Sequence, residues 1–141
     1  MYNGAVHILP PNPLNSLEYC ALIICYISQD CLFCRIIDGE IPSEFVYEDE
    51  QCVAFNDISP QAPTHILIIP RKHIASLDDS ANNEKELLGH LLMAAASIAR
   101  EKGFAKNGYR TVINTNDDGG QTVFHLHVHL LGGRKFIFPP G

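Results

Sequence analysis

The chain is organised around the stretch Gln121–Gly133, which reads QTVFHLHVHLLGG. Three histidines in it, His125, His127 and His129, alternate with apolar residues. Alternation with a period of two predicts a β-strand with one buried face. The apolar members of the alternation should point into the core: Phe124, Leu126, Val128 and Leu130. We therefore expect all three imidazoles to lie together on the opposite face of the strand.

Three imidazoles in a row suit two kinds of chemistry. One ring could be a nucleophile while the others help to bind an oxyanion, or two or three rings could hold a catalytic zinc ion. The neighbouring residues favour the nucleophile. Gly119 and Gly120 would free backbone N–H groups to approach an anion closely, and Thr122 adds a hydroxyl donor. A purely structural role for all three histidines is the least favoured interpretation.

The composition describes an ordinary soluble globular protein with 46% hydrophobic and 18% charged residues. Its 141 residues fit one domain with a sizeable core. The net charge of −6 argues against nucleic acid or an anionic membrane as the main partner. Five cysteines are an odd number, which indicates a reducing compartment rather than a disulfide framework. No apolar run is long enough to span a bilayer, so we predict a cytoplasmic protein.

The first part of the chain differs from the rest. Residues 1–29 contain Pro10-Pro11-Asn12-Pro13, which cannot continue a helix or a central strand. They also lack Lys and Arg, so no charged secretory or transit segment is predicted. We interpret residues 1–29 as a leader of unknown role, which could be poorly ordered, and residues 30–141 as the folded domain.

Local patterns then predict the elements of the domain. Asp30–Gly39 indicates a short helix capped by Asp30 and ended by Gly39. The other predicted elements are a hairpin of Glu44–Asp49 with Cys52–Asn56, a loop at Asp57–Pro63, a central strand Thr64–Pro70, and a strand Tyr109–Asn114 that pairs with the histidine strand. A long helix is predicted over Asn83–Lys102, which Asn82 or Asn83 can cap and which Gly103 ends. Its core face consists of Leu87, Leu88, Leu91, Leu92, Ala95, Ile98 and Ala99.

Several polar residues in these elements have two interpretations each. Cys31 and Cys34 have the C-x-x-C spacing of metal ligands, yet two buried free thiols fit the spacing equally well. Asp57 lies where a strand ends, and it could be either a functional carboxylate or a turn cap. His65 could reach the triad or be a satisfied core histidine. The basic turn Arg71–His73 is expected to be solvated.

At this point the sequence resembles a known family. His125–Leu131 fits the His-φ-His-φ-His-φ-φ signature of the histidine triad (HIT) superfamily. Phe55–His65, Leu87–Leu91, Asp118–Gln121 and the terminal Phe-Pro-Pro-Gly look like its histidine triad nucleotide-binding protein branch. The resemblance covers about residues 30–141 and implies an α+β fold. That fold has an antiparallel sheet of about five strands, one long helix and a short N-terminal helix, usually in a homodimer.

The resemblance also implies an activity. The branch binds purine nucleoside monophosphates and hydrolyses nucleoside 5′-phosphoramidates, typically those of adenosine. The central triad histidine is the nucleophile, here His127, and water then cleaves the nucleotidyl-imidazole. No cofactor is required for this chemistry. Alternatives are a nucleotide sensor or scaffold with little turnover, a metal-dependent hydrolase, and cleavage of dinucleoside polyphosphates, against which the Phe-Pro-Pro-Gly tail argues.

Roles follow from the resemblance for further residues. His65 would support the triad from behind, Asp57 would hold the ribose hydroxyls, and the first triad histidine, His125, would complete the site. Residues expected to stabilise the phosphoryl oxygens are Asn114, Gly120, Gln121, Thr122 and His129. Residues expected to line the base pocket are Leu32, Phe33, Ile36, Phe55, Ile58 and Leu67.

Some HIT proteins carry a structural zinc ion, and this sequence has Cys31, Cys34, His73 and His125 at the ligand positions. Four protein ligands would close the tetrahedron, so such an ion would be structural rather than catalytic. The sequence departs from the branch at three positions. Thr122 stands where serine is common, Asn56 where histidine is frequent beside Asp57, and Phe138 where the tail usually has tryptophan.

Overall fold

A computed structural model of the chain describes residues 30–141, so the predicted leader lies outside the described residues. Five antiparallel strands form one sheet in the order β1-β2-β3-β5-β4. The elements in chain order are α1 Leu32–Ile37, β1 Phe45–Glu48, β2 Cys52–Asn56, β3 Thr64–Pro70, α2 Lys85–Glu101, β4 Arg110–Val112 and β5 Val128–Gly132. Two short 3-10 helices, Asn82–Glu84 and Ala105–Asn107, flank α2.

The strand β3 lies at the centre of the sheet, as its continuous apolar run predicts. Successive side chains of β3 point to opposite faces of the sheet. Ile66 and Ile68 pack with α2 in one hydrophobic cluster, and Leu67 and Ile69 pack with α1 in a second cluster. Both faces of β3 are therefore covered, and its side chains from His65 onward are buried. The sheet with its two helices gives the α+β architecture expected from the resemblance.

The long helix α2 begins later than predicted. Neither Asn82 nor Asn83 caps it, because Glu84 turns its carboxylate back to accept from Ala81 N–H at 2.8 Å and from Lys72 Nζ at 2.5 Å. This arrangement winds residues 82–84 into a 3-10 helix ahead of α2. The predicted core face is correct except at Leu92, which is 45% exposed. Gly103, at φ +82, ends the helix as expected.

The short helix α1 is capped by Cys31 rather than by Asp30. The sulfur of Cys31 accepts from the N–H of Cys34 at 3.5 Å. Gly39, at φ +76, follows the helix end as predicted. The helix buries Phe33 and Ile36 against the sheet face that carries Leu67.

The histidine stretch is only partly a strand. β5 begins at Val128, so His125 and His127 precede it, and Phe124 is 49% exposed rather than buried. The reason lies in β3, where Ile68 pairs with Val128 and the strand ends at Pro70, which has no N–H to continue the ladder. Leu126 instead donates its N–H to Ile74 at 2.6 Å. Leu126, Val128 and Leu130 are buried in the α2 cluster, as predicted.

No helix in residues 30–141 is long and apolar enough to cross a membrane.

Candidate active site

The three triad histidines lie on the sheet face covered by α1 but in three different surroundings. The ring of His125 is fully buried beside two cysteines and His73. The ring of His127 lies edge-on to Phe33, with 5.3 Å between the ring centroids. The ring of His129 lies 4.9 Å from that of His127 and contacts His65. The alternation therefore places the imidazoles side by side without giving them one shared role.

The tautomer of His127 follows from its neighbour's backbone. Its Nδ1 lies 2.7 Å from the carbonyl oxygen of His125, which can only accept, so Nδ1 carries the proton and donates it. The Nε2 atom then has a free lone pair. Among residues 30–141 no hydrogen bond uses it, and the residue as a whole is 4% exposed. A neutral imidazole with one nitrogen fixed and the other unbonded is suited to nucleophilic attack.

A chain of hydrogen bonds fixes the tautomer of His129. The backbone N–H of Gln61 donates to His65 Nδ1 at 3.1 Å, so the proton of neutral His65 is on Nε2. His65 Nε2 lies 2.9 Å from His129 Nδ1 and donates to it. His129 therefore carries its own proton on Nε2. That N–H is buried and has no partner among the described residues.

Burial keeps both members of this pair neutral near pH 7. It lowers the pKa of His129 to about 4, with further lowering by the charge that His127 and His65 can carry and a small opposing effect of Asp57. Burial also lowers the pKa of His65, again opposed by Asp57. A neutral His129 can donate a hydrogen bond from Nε2 without carrying a positive charge.

Asp57 lies at the predicted strand end, where it caps a turn and also contacts His65. Its Oδ1 accepts from the backbone N–H of Ser59 at 2.8 Å, which makes it a turn cap. Its Oδ2 lies 3.4 Å from His65 Nε2. The carboxylate remains partly exposed, with 17% of its side-chain surface open. It can therefore accept hydrogen bonds from a ligand as well.

Four of the six predicted base-pocket residues form one apolar surface. Phe33, Ile36, Phe55 and Leu67 belong to the cluster under α1, where the rings of Phe33 and Phe55 meet edge to face at 5.7 Å. The other two, Leu32 and Ile58, are exposed and do not pack in that cluster. Contact of Leu32 and Ile58 with a bound base stays a prediction.

The glycine turn differs from the predicted anion cradle. The N–H of Gly120 donates to Asp117 O at 2.9 Å, and the N–H of Gln121 donates to Asn116 O at 3.1 Å. Both amides are therefore committed to the turn itself. A Cβ on Gly119 would lie 2.3 Å from Thr115 O, so this glycine is required by the close approach of two backbone segments.

The side chain of Gln121 is also structural. It is buried, and its Nε2 donates to Ala75 O and Val123 O while its Oε1 accepts from the N–H of Asn116. Thr122 and Asn114 fit the predicted role better, because Thr122 is exposed and Asn114 is half-buried. No hydrogen bond within residues 30–141 uses either side chain.

Four potential metal ligands surround His125. Cys31, Cys34, His73 and His125 each offer one atom, and these atoms lie within 4.8 Å of one another. His125 Nδ1 is 3.4 Å from Cys31 Sγ, 3.5 Å from Cys34 Sγ and 3.2 Å from His73 Nδ1. Tetrahedral zinc with ordinary bond lengths places its nitrogen and sulfur ligands about 3.3 to 3.8 Å apart. The cluster therefore fits zinc in both donor type and spacing.

The tautomer of His125 agrees with this fit. Its Nε2 donates to Pro70 O at 2.8 Å, which leaves a lone pair on Nδ1 directed at the cysteines. Burial lowers the pKa of His125 to about 4 and also lowers that of His73. Burial and the neighbouring Cys31 raise the pKa of Cys34 to about 12 when no cation is present. The basic turn at His73 is thus not simply solvated.

Sequence reasoning missed one residue that orients the site and one that stabilises the fold. Gln61 acts through its backbone N–H, which no pattern of side chains can reveal. His90, which received no role, donates from Nε2 to Asp49 Oδ2 at 2.7 Å and thereby ties α2 to the β1–β2 hairpin. Asp49 also accepts from Tyr47 and from the N–H groups of Gln51 and Cys52. This network is separate from the triad.

Fold and site together define an α+β protein with a cluster of histidines on one face of a five-stranded antiparallel sheet. A family model described as the HIT domain matches residues 38–136. An uncharacterized HIT-like protein of Synechococcus elongatus is 54% identical over 82% of this chain and 100% of that protein. The chain belongs to the HIT family.

Two solved structures are similar to it. A HIT family hydrolase from Legionella pneumophila is 53% identical, has a TM-score of 0.78, and matches 79% of this chain and 100% of that one. A histidine triad protein from Clostridium difficile is 49% identical, has a TM-score of 0.75, and matches 77% of this chain and 94% of that one.

Proposed function

We propose that this protein hydrolyses nucleoside 5′-phosphoramidates, those of purines and adenosine in particular, through a nucleotidyl intermediate on His127. The observation that carries the proposal is the state of His127, whose Nδ1 donates to the carbonyl of His125 and whose Nε2 lone pair is used by no hydrogen bond among residues 30–141. The resemblance to the histidine triad nucleotide-binding protein branch supplies the substrate class.

The reaction takes two steps. In the first, the lone pair of His127 Nε2 forms a bond to the α-phosphorus, and the P–N bond of the substrate breaks. The leaving nitrogen takes up a proton from solvent and departs as an amine. In the second, water adds its oxygen to the phosphorus and gives up a proton to solvent, the bond to His127 breaks, and a nucleoside monophosphate leaves. The covalent intermediate replaces one difficult displacement by two easier ones, because the imidazole is a better nucleophile than water and a good leaving group.

The donor that suits the phosphoryl oxygens is the N–H of His129 Nε2. It is buried and unpaired, so an anion placed there would supply its missing acceptor. Preorganised donors of this kind typically contribute about 10²- to 10³-fold to turnover. The exposed Thr122 hydroxyl and the Asn114 amide are the further candidates, in place of the occupied amides of Gly120 and Gln121.

The apolar surface of Phe33, Ile36, Phe55 and Leu67 suits one face of a planar base. The partly exposed carboxylate of Asp57 suits the ribose hydroxyls, and its contact with His65 would place the sugar close to the triad. Together these features support nucleoside monophosphate binding, with adenosine as the first nucleoside to test.

The test is turnover of adenosine 5′-phosphoramidate by wild type and by His127→Ala. We expect the variant to lose at least about 10³-fold in kcat, as enzymes do when the nucleophile is removed. The matched control is His90→Gln, which changes a histidine outside the site and should retain turnover. Mass spectrometry of quenched wild type should detect one adenylyl group on the peptide that contains His127. Full turnover by His127→Ala would refute the proposal.

We also propose that Cys31, Cys34, His73 and His125 hold one structural zinc ion. Zinc would bridge α1, the segment after β3 and the segment before β5, and would need no open position because four protein ligands complete its shell. Metal analysis should give one zinc per chain in wild type and much less in Cys34→Ser. A metal-dependent hydrolase would be the better assignment under one result. In that result, chelation abolishes turnover, and added metal restores turnover although the four-ligand cluster stays empty.

A homodimer is the assembly that we propose. Leu92 and Met93 are adjacent on the outer face of α2 and are 45% and 62% exposed, and β4 leaves one edge of the sheet open. Light scattering should give twice the chain mass for wild type and the single mass for Met93→Glu. Asp38→Lys, a charge change after α1 on the other face, should remain dimeric. A monomeric wild type would contradict the proposal.

A further inference from the structure

One residue belongs to both the candidate metal centre and the candidate active site. The ring of His125 directs Nδ1 at Cys31, Cys34 and His73. The backbone carbonyl of the same residue accepts the proton of His127 Nδ1 at 2.7 Å. The atom that fixes the nucleophile's tautomer therefore sits on a residue whose side chain the cluster holds.

A second connection runs through α1. Cys31 caps this helix and Cys34 lies within it, and Phe33 between them places its ring against His125 and His127 at centroid distances of 5.9 and 5.3 Å. The helix has six residues, too few to be stable by itself. The position of α1 therefore depends on its packing and on the bonds that Cys31 and Cys34 make. The position of Phe33 against His127 depends on those contacts as well.

Without a cation, the cluster is held only by weak donors. The thiols of Cys31 and Cys34 can donate to His125 Nδ1 and His73 Nδ1, each at 3.4 Å. One cation would bind all four atoms at once and would hold them more strongly than these contacts do. Its loss would let the His125 ring and α1 move, and would carry the carbonyl of His125 and the ring of Phe33 with them.

We propose that the metal cluster positions the nucleophile, so that metal occupancy sets the orientation of His127 and the shape of the base surface. The proposal rests on the proposed function only for its activity readout. Cys31, Cys34 and His73 are then positioning residues, because they touch neither substrate nor the reacting atoms. A zinc ion with a purely structural role would only stabilise the fold. If zinc positions the nucleophile, its removal must change the orientation of His127 and the affinity for nucleotide while the sheet remains folded.

The first experiment needs no substrate. NMR spectra of the histidine rings are recorded for the zinc-loaded wild type and for protein stripped by a chelator. The zinc-loaded form should show the His127 Nδ1 proton as a slowly exchanging signal bonded to a carbonyl, assigned with His127→Ala. The stripped form should lose that signal, while methyl signals from Ile66, Ile68 and Leu130 on the α2 side of the sheet stay dispersed.

The second experiment compares two substitutions of the same kind. His73→Gln removes one metal ligand, whereas His90→Gln changes a histidine bonded to Asp49 outside the cluster. We expect His73→Gln to weaken AMP binding and to lower kcat by about 10- to 100-fold, the usual cost of losing support around a site. His90→Gln should retain zinc, AMP binding and turnover. Adding zinc to Cys31→Ser should restore AMP binding and turnover in proportion to the zinc bound.

Each result decides the proposal. It is overturned if the stripped protein keeps the His127 signal and its AMP affinity, if the α2-side methyl signals collapse when zinc leaves, or if the cluster binds no zinc. If zinc-loaded wild type binds AMP but turns over no phosphoramidate, the proposed function fails, and the NMR signal and AMP affinity still decide whether the cluster positions His127.

Discussion

His129 offers a test in which activity should fall sharply while stability stays nearly unchanged or rises. Its Nε2–H is buried without an acceptor in residues 30–141, and an unpaired buried donor costs about 1 to 3 kcal/mol. Replacing His129 with leucine removes that cost. It also removes the hydrogen bond from His65, which contributes about 0.5 to 1.5 kcal/mol. The proton of His65 keeps a second acceptor in Asp57, at 3.4 Å.

The expected free energy of unfolding of His129→Leu therefore lies between about 0.5 kcal/mol below and 2.5 kcal/mol above that of wild type. Turnover of adenosine 5′-phosphoramidate should fall by about 10²- to 10³-fold, because the variant loses a buried imidazole donor that has no partner among residues 30–141. Stabilisation by AMP should shrink as well, since ligand binding adds to the stability of the folded state alone.

The assays are urea denaturation with and without AMP, together with steady-state kinetics. His129→Gln is the matched control, because its carboxamide restores an N–H donor at a similar reach and should recover part of the lost turnover. Two results would refute the reasoning. One is wild-type turnover by His129→Leu, and the other is destabilisation beyond about 2 kcal/mol, the range of an ordinary core truncation.

Four further predictions concern stability. Because burial lowers the pKa of His129 from 6.5 to about 4, the unfolded chain binds more protons in this window. Stability should therefore fall as the pH drops from 6.5 towards 4, and a flat profile in urea denaturation at several pH values would contradict this. Gly119→Ala should lower stability in urea denaturation by about 1 to 3 kcal/mol because of the Thr115 contact. Gly89→Ala, which meets no atom within 4 Å in α2, should raise stability by about 0.5 to 1 kcal/mol in the same assay. Asp49→Ala should cost about 1 to 3 kcal/mol in urea denaturation, because its donors lose their acceptor, and an unchanged midpoint would show that the network is dispensable.

The positions of most elements could be predicted from the sequence because their signals are local. A continuous apolar run made β3 central, helical spacing placed the buried face of α2, and Gly39 and Gly103 marked helix ends with positive φ. The family signature was likewise local, since alternation of three histidines lies within a few residues. These features depend on neighbours along the chain, which the sequence shows directly.

The errors arose where a distant group competed with the local pattern. Alternation predicted a strand through His125, but Pro70 on the neighbouring strand ends the ladder and delays β5 to Val128. Glycines predicted free amides, but the turn itself uses the N–H groups of Gly120 and Gln121. Asparagine predicted a cap for α2, but no side chain caps this helix, and Glu84 instead bonds Lys72 and the N–H of Ala81 ahead of it.

By itself, then, the sequence determined most of the elements that form and the family to which the chain belongs. Only the tertiary structure decided the state of each side chain. The Nδ1 lone pair of His125 faces Cys31, 94 positions away, the proton of His129 is set by His65, 64 positions away, and that of His65 by a backbone amide of Gln61. A tautomer is chosen by the donors and acceptors around the ring, and folding brings those groups together from segments that share no local pattern.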